Sequence, residues 1–228
     1  MKDFEREYRE LGPYHHNLRG FSKWWILDNY RILASWTGRA GPTLDLACGD
    51  GMIWPFLESS GLIGVDHAPT GLKQSRSFAG IPLVQADMRA LPFKAATIRN
   101  VVCSLSLQYL EELDLEKCLF ELSRVMTADG RLALSYPNVR AGANGSGSHA
   151  AVPYRRLLAE LKKTGFRPME VRGISLRMPA KLVRWSLSPL GRPLAGLYYR
   201  ISKIARFFPE RSYHYALRCL KAGEGIGA

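Results

Sequence analysis

The chain has 228 residues, 46% of them hydrophobic, which suffices for one domain with its own core. Its net charge is +12, its four cysteines form no C-x-x-C pair, and no apolar run approaches the roughly 20 residues that span a bilayer. A disulfide framework, a cysteine zinc site and a membrane span are excluded, and the charged start Met1-Lys-Asp-Phe-Glu-Arg-Glu does not read as a secretion signal.

The charge is unevenly placed. Residues 1–137 hold 15 Lys/Arg and 16 Asp/Glu, whereas residues 138–228 hold 17 and 4. Such asymmetry points to an anionic partner: a phospholipid surface, an acidic substrate or nucleic acid. The bland alternative is a solvated basic surface.

In chain order, residues 1–40 are helical and rich in aromatics: Phe21, Trp24, Trp25, Tyr30 and Trp36 recur with Ile26 and Leu33 at spacings of three and four. Gly38 and Gly41-Pro42 end the segment. No strand precedes it, so it packs as a cap. Residues 43–51, Thr-Leu-Asp-Leu-Ala-Cys-Gly-Asp-Gly, then read as a short buried strand entering a turn with Gly49 and Gly51. In an open α/β sheet such a turn is where ligands bind. Trp54 breaks the dinucleotide pattern G-x-G-x-x-G, and the Gly-Lys-Ser/Thr ending of a P-loop is absent. Asp45 inside the motif repels phosphate and suits a ligand of cationic character.

Asp45, Ala47, Gly49 and Gly51 resemble the first motif, D/E-x-G-x-G-x-G, of the class I S-adenosylmethionine-dependent methyltransferases, with Ala47 for the first glycine. The ubiquinone/menaquinone type is the nearest in pattern. The resemblance implies S-adenosyl-L-methionine as cofactor, whose sulfonium and ammonium agree with the acidic motif. It implies a Rossmann-like, seven-stranded, mostly parallel sheet with helices on both faces. The last strand is antiparallel, a helical cap precedes the sheet, and a helical insertion precedes the last strand. Within one domain, 1–40 is the cap, 43–137 the cofactor-binding core, and 138–228 a basic, substrate-side part with the insertion at about 179–210. In this family the cap lies over the cofactor, and Tyr14, Arg19 and Trp24 then line its methionine end.

After the turn, Met52–Ser60 reads as a helix with Pro55 in its first turn. Leu62–Val65 is the second strand; Asp66 at its end, with His67 beside it, is placed to accept from ribose hydroxyls. A helix over 70–78 follows. Ile81–Gln85 is the third strand, and the resemblance assigns Asp87 to the adenine amino group and the Met88 backbone to the ring. Ile98–Leu105 is the fourth strand, with Ser104 and Tyr109 at its carboxyl end facing the methyl group. The stretch Leu105-Ser-Leu-Gln-Tyr109 lacks the N/D-P-P-Y/F of base amino-methylation, and Cys103 sits inside the strand as a core residue.

Asp114–Met126 reads as a helix closed by Asp129-Gly130, Arg131–Tyr136 as the fifth strand, and 140–149 as a Gly/Ser-rich loop ending in His149. A helix over 154–164 and strand 166–174 follow. In 193–208, Leu194, Leu197, Tyr198, Ile201, Ile204 and Phe208 have helical spacing, with Arg192, Arg200, Lys203 and Arg206 supplying charge. Such a helix suits a membrane interface or the cap of a pocket, or it packs on the sheet. Residues 212–221 alternate as the seventh strand.

The expected reaction is methyl transfer to an oxygen or nitrogen of a small molecule such as a lipid, sugar or secondary metabolite, and the acceptor is expected to be anionic or amphipathic. Tyr109 and His149, with His15 and His16 behind them, are the candidate bases or orienters. No His/Asp/Glu cluster suggests a metal. A cytoplasmic protein with peripheral membrane contact through about 179–208 is expected. The alternatives are an RNA methyltransferase, against which the missing motif counts, and a non-catalytic binding subunit of this fold.

Overall fold

The computed structural model describes residues 4–11, 18–78, 80–138 and 152–222. A seven-stranded sheet has the order β3-β2-β1-β4-β5-β7-β6. Its strands are β1 (Pro42–Leu46), β2 (Gly61–Asp66), β3 (Leu83–Gln85), β4 (Ile98–Ser104), β5 (Met126–Pro137), β6 (Phe166–Ser175) and β7 (His214–Lys221). Pairings from β3 through to β5 are parallel, and β7 runs antiparallel to both β5 and β6. Because β7 runs backwards, its first residue, His214, lies on the same sheet edge as the carboxyl ends of the parallel strands.

Alternation along the strands separates two cores. Val101 and Cys103 of β4 face α4 (Glu112–Val125) and α5 (Tyr154–Lys163), where Leu115, Cys118, Leu119, Leu157 and Leu161 are buried. Val102, with Ala133 and Ala216 of the neighbouring strands, faces α2 (Gly20–Trp36), which buries Phe21, Trp25, Ile26, Leu33 and Trp36. A shorter helix, α1 (Phe4–Leu11), precedes α2. It lies on α3 (Pro69–Ser75), whose N-cap Ala68 has no side chain able to cap. Glu5 caps α3 from outside, accepting from the Thr70 amide at 3.0 Å and from the Thr70 hydroxyl.

Three expected elements differ. Residues 52–60 hold only a 3-10 turn, Trp54–Phe56, because the Trp54 ring is drawn inward against the glycine turn. The helix expected to close at Asp129-Gly130 ends at Val125, and β5 starts at Met126 opposite Ile98. A bulge between Ile98 and Asn100 absorbs the extra residues. The helix expected over 193–208 is α7 (Arg192–Ser202) followed by a 3-10 segment, Lys203–Phe207, with α6 (Ala180–Trp185) before it.

Ala47 stands at φ +57°, the left-handed conformation that the motif's usual glycine adopts freely. Ala47→Gly is therefore expected to be neutral or stabilising, by up to about 1 kcal/mol, whereas Ala→Gly elsewhere destabilises. Thermal unfolding checks this; a drop in Tm beyond about 2 °C contradicts it.

Candidate active site

A cavity of about 1610 Å³ runs along the edge where the parallel strands end. That is larger than the ~300–1,000 Å³ of ordinary single-ligand pockets, and gives room for two ligands side by side. One end is built on β1, β2 and β3. Asp45, Ala47, Gly49, Asp66, His67, Asp87 and Met88 line it. Ser104 and Tyr109, after β4, line its middle.

The glycine turn is held from below. Asp66 Oδ2 accepts from the Gly49 amide at 2.7 Å, and Oδ1 accepts from the Ala68 amide at 2.8 Å. Two amides leave lone pairs on this carboxylate for a further donor. From above, the Tyr8 hydroxyl lies where a Cβ on Gly49 would stand, so α1 closes over the turn. Any larger residue at position 49 would collide with it.

Asp45 is buried and accepts from Trp54 Nε1 at 2.7 Å. Burial raises its carboxyl to about 8; the Trp54 bond opposes this, and the nearby Asp66 and Asp50 charges add to it. Burial also raises Asp66. Three carboxyls around one turn make an end at which a cation would favour ionisation of the buried Asp45. Gly51 is outside the cavity lining. Its φ is +76°, and a Cβ there would meet the Trp54 ring at 2.7 Å. Gly51 thus makes room for the indole that donates to Asp45.

Asp87 is already engaged. Arg89 forks onto both its oxygens (Nε at 3.0 Å to each, Nη2 at 2.6 Å to Oδ2), and the Arg89 amide adds a third donor at 2.8 Å. Arg89 also bridges to Asp114 at 2.7 Å. The Arg89 bond holds the Asp87 carboxyl below its ordinary value. The expected adenine contact would have to share these oxygens with Arg89.

The cap contributes different residues from those expected. Arg19 is the exposed N-cap of α2, and Trp24 points to α7, its ring 5.8 Å from that of Tyr199; neither lines the cavity. The helical period instead presents Phe21, Ser22, Trp25, Ile26 and Tyr30, and α1 adds Glu5 and Tyr8. Tyr14, His15, His16 and His149 lie outside the described residues.

The other end of the cavity is built on β6, α6 and the start of β7: Arg177, Met178, Val183, Arg184, Tyr213 and His214. His214 stacks on Trp25, centroids 4.3 Å apart and planes at 8°, and its Nδ1 is buried without a hydrogen-bond partner. Burial lowers this imidazole to about 3, so it is uncharged at neutral pH. The sequence carried a weak signal for it, a histidine opening an edge-adjacent strand, but nothing placed that strand end at the cavity. Among the described residues no group of His, Cys, Asp or Glu could hold a metal. All four cysteines are buried. Burial pushes the Cys103 thiol up to about 12, so it is no nucleophile.

Residues 43–130 match the family model described as a methyltransferase domain. No protein of curated function matches the sequence. Among solved structures, a Haloferax volcanii protein in complex with the Trm112 methyltransferase activator is similar over 97% of this chain and 96% of its own, at 13% identity and TM-score 0.67. An Aquifex aeolicus SAM-dependent methyltransferase is similar over 96% and 98%, at 13% identity and TM-score 0.63. The geranyl diphosphate C-methyltransferase of Streptomyces coelicolor, solved with S-adenosyl-L-homocysteine, is similar over 85% and 75%, at 17% identity and TM-score 0.60. The acidic glycine turn and its cavity fit the cationic sulfonium and ammonium of S-adenosyl-L-methionine. Residues 43–130 thus match a methyltransferase domain on the cofactor-side strands, and the fold around them is that of S-adenosylmethionine-dependent methyltransferases.

Proposed function

We propose that this enzyme transfers the methyl group to an oxygen or nitrogen of a small, anionic, amphipathic acceptor. One observation carries the reading: the cavity continues past the glycine turn into an end lined by Arg177 and Arg184, aromatic rings and the uncharged His214. Cations recognise an anionic head, while Phe21, Trp25, Met178 and Val183 accept an apolar body. The Streptomyces neighbour, solved with geranyl diphosphate, is named for an acceptor of that kind.

When bound, the cofactor supplies a methyl carbon on a positively charged sulfur. Asp66 would then hold the ribose, and the buried Asp45, ionised in favour of the sulfonium, would sit nearby as countercharge. Asp87 and the Met88 backbone border the adenine, with Arg89 fixing the carboxylate's direction. Ser104 and Tyr109 stand between the two ends, where donor and acceptor meet. An acceptor held between Ser104 and Tyr109 would be placed to receive that methyl carbon. Positioning does most of this work. Tyr213 and His214 orient the acceptor, and an acceptor already deprotonated needs no base from the protein.

The experiment is methyl incorporation from labelled S-adenosylmethionine into a panel of long-chain carboxylic, phenolic and phosphorylated amphiphiles, with total tRNA alongside. Arg177→Gln/Arg184→Gln is expected to lower kcat/KM for the accepted anion by roughly tenfold or more while leaving the Kd for S-adenosylhomocysteine unchanged. Equal turnover by the double variant overturns the anionic acceptor. A second reading, an RNA substrate, is favoured by the basic excess beyond residue 137 and by the neighbour in complex with Trm112. Methylation of tRNA alone, with steeply salt-dependent binding, would select it.

A further inference from the structure

Among the described residues twelve large hydrophobic side chains are exposed, and nine of them fall between Trp185 and Phe208. Leu190, Leu194, Leu197, Ile201, Ile204 and Phe208 recur at spacings of four and three, a single stripe along α7 and its flanks. The stripe faces outward: Leu190 is 94% exposed, Leu194 56% and Ile201 63%. The face that α7 buries is narrow, Ala195, Tyr199 and Ser202, and Tyr199 donates to Asp28 of α2 at 2.5 Å. A helix that leaves most of its large apolar side chains on the solvent side departs from the pattern of a solvated surface helix.

The charge around the stripe indicates what covers it. Residues 171–209 contain eight Lys/Arg and no Asp or Glu. Lys203 is tied to Asp28 at 2.7 Å, but Lys181, Arg184, Arg192 and Arg200 form no ion pair among the described residues. Apolar side chains flanked by unpaired cations match a bilayer surface bearing anionic headgroups. Among the described residues no helix is long and apolar enough to cross a membrane, so the proposed contact lies in the interface plane.

We propose that residues 185–208 dock on an anionic phospholipid surface through this stripe. The placement gives the docking a use. The residues just before the stripe, Arg177, Val183 and Arg184, line the acceptor end of the cavity, so the docked enzyme holds that end near the headgroups. An amphipathic acceptor then passes from the bilayer into the cavity, a consequence that rests on the acceptor reading above. The docking itself does not.

The test is co-sedimentation of the full chain with vesicles of phosphatidylcholine alone and of phosphatidylcholine mixed with phosphatidylglycerol. Partition is expected to be stronger on the anionic vesicles by roughly tenfold or more and to weaken in high salt. Leu194→Glu/Leu197→Glu/Ile201→Glu is expected to abolish it with the Kd for S-adenosylhomocysteine unchanged, which certifies the fold. Arg192→Gln/Arg200→Gln is expected to remove the preference for anionic lipid. Failure of the wild type to sediment with either vesicle overturns the proposal. So does undiminished partition of the triple-Glu variant. A wild type that self-associates through the stripe without binding vesicles also overturns it and assigns the face to a second copy. Vesicle binding that persists where no anionic amphiphile is methylated supports the docking and counts only against the acceptor reading.

Discussion

Asp66→Ala is expected to weaken binding of S-adenosylhomocysteine by about 100-fold or more, read by calorimetric titration. This carboxylate has two jobs. It accepts from the Gly49 and Ala68 amides, which shapes the turn, and its remaining lone pairs face the cavity where we assign the ribose. Hydrogen bonds to a charged group contribute about 1.5–3 kcal/mol each. Losing about 3 kcal/mol corresponds to a factor of roughly 150. The two amides, left buried and unpaired, also cost about 2–4 kcal/mol of folding stability, visible as a lower urea midpoint. Asp66→Asn keeps one accepting oxygen and is expected to fall between. A folded Asp66→Ala that binds like wild type would sink the ribose assignment.

Asp45→Asn is expected to alter how both stability and cofactor binding depend on pH. Burial holds the Asp45 carboxyl at about 8, against about 3.9 in an unfolded chain. Between those values the folded protein keeps a proton that the unfolded chain releases. The residue's contribution to stability is therefore whole below about pH 4, declines as pH rises, and levels off above about pH 8. The slope cannot exceed about 1.4 kcal/mol per pH unit. Asn at this position still offers an oxygen to Trp54 Nε1, so the fold is retained. The urea midpoint of Asp45→Asn relative to that of wild type should thus rise from pH 5 to pH 8, because the opposite contribution of buried His214 is common to both proteins.

Binding carries the opposite sign. A sulfonium favours the ionised carboxylate, so the affinity of S-adenosylmethionine relative to S-adenosylhomocysteine, which lacks that charge, is expected to rise with pH up to about 8. In Asp45→Asn the ratio should be flat. Parallel pH profiles in the two proteins would mean that Asp45 does not sense the sulfonium.

The strand-then-glycine turn was legible because it depends on local rules. Leu44, Leu46 and Cys48 alternate, and a backbone at φ +53° wants glycine at position 49. The acids at the ends of successive strands were legible for a related reason: parallel strands joined by crossovers bring their carboxyl ends to one edge. Partners across space were not. Trp54 in the sequence only spoiled a dinucleotide pattern, yet its indole donates to Asp45. Asp87 read as a lone acid, yet Arg89 holds both its oxygens. The cap's period was visible, but its phase was not: Phe21 and Trp25 meet the cavity, whereas Trp24 meets α7.

By itself, then, the sequence determined which residues share a strand, a turn or a helix face, because periodicity and turn chemistry act within a few residues. Through Asp45 it suggested a ligand of cationic character, and the sheet class followed from the resemblance that Asp45, Ala47, Gly49 and Gly51 carry. Only the tertiary structure decided which way each face looks. It turned the apolar stripe of α7 outward, since Tyr199 and Lys203 bind Asp28 and leave Leu194 and Ile201 on the far side of the helix. It brought His214 to the cavity, since an antiparallel β7 begins at the edge where its neighbours end. Both outcomes depend on contacts more than 150 residues apart in the chain, from Asp28 to Tyr199 and from Trp25 to His214, which no local pattern encodes.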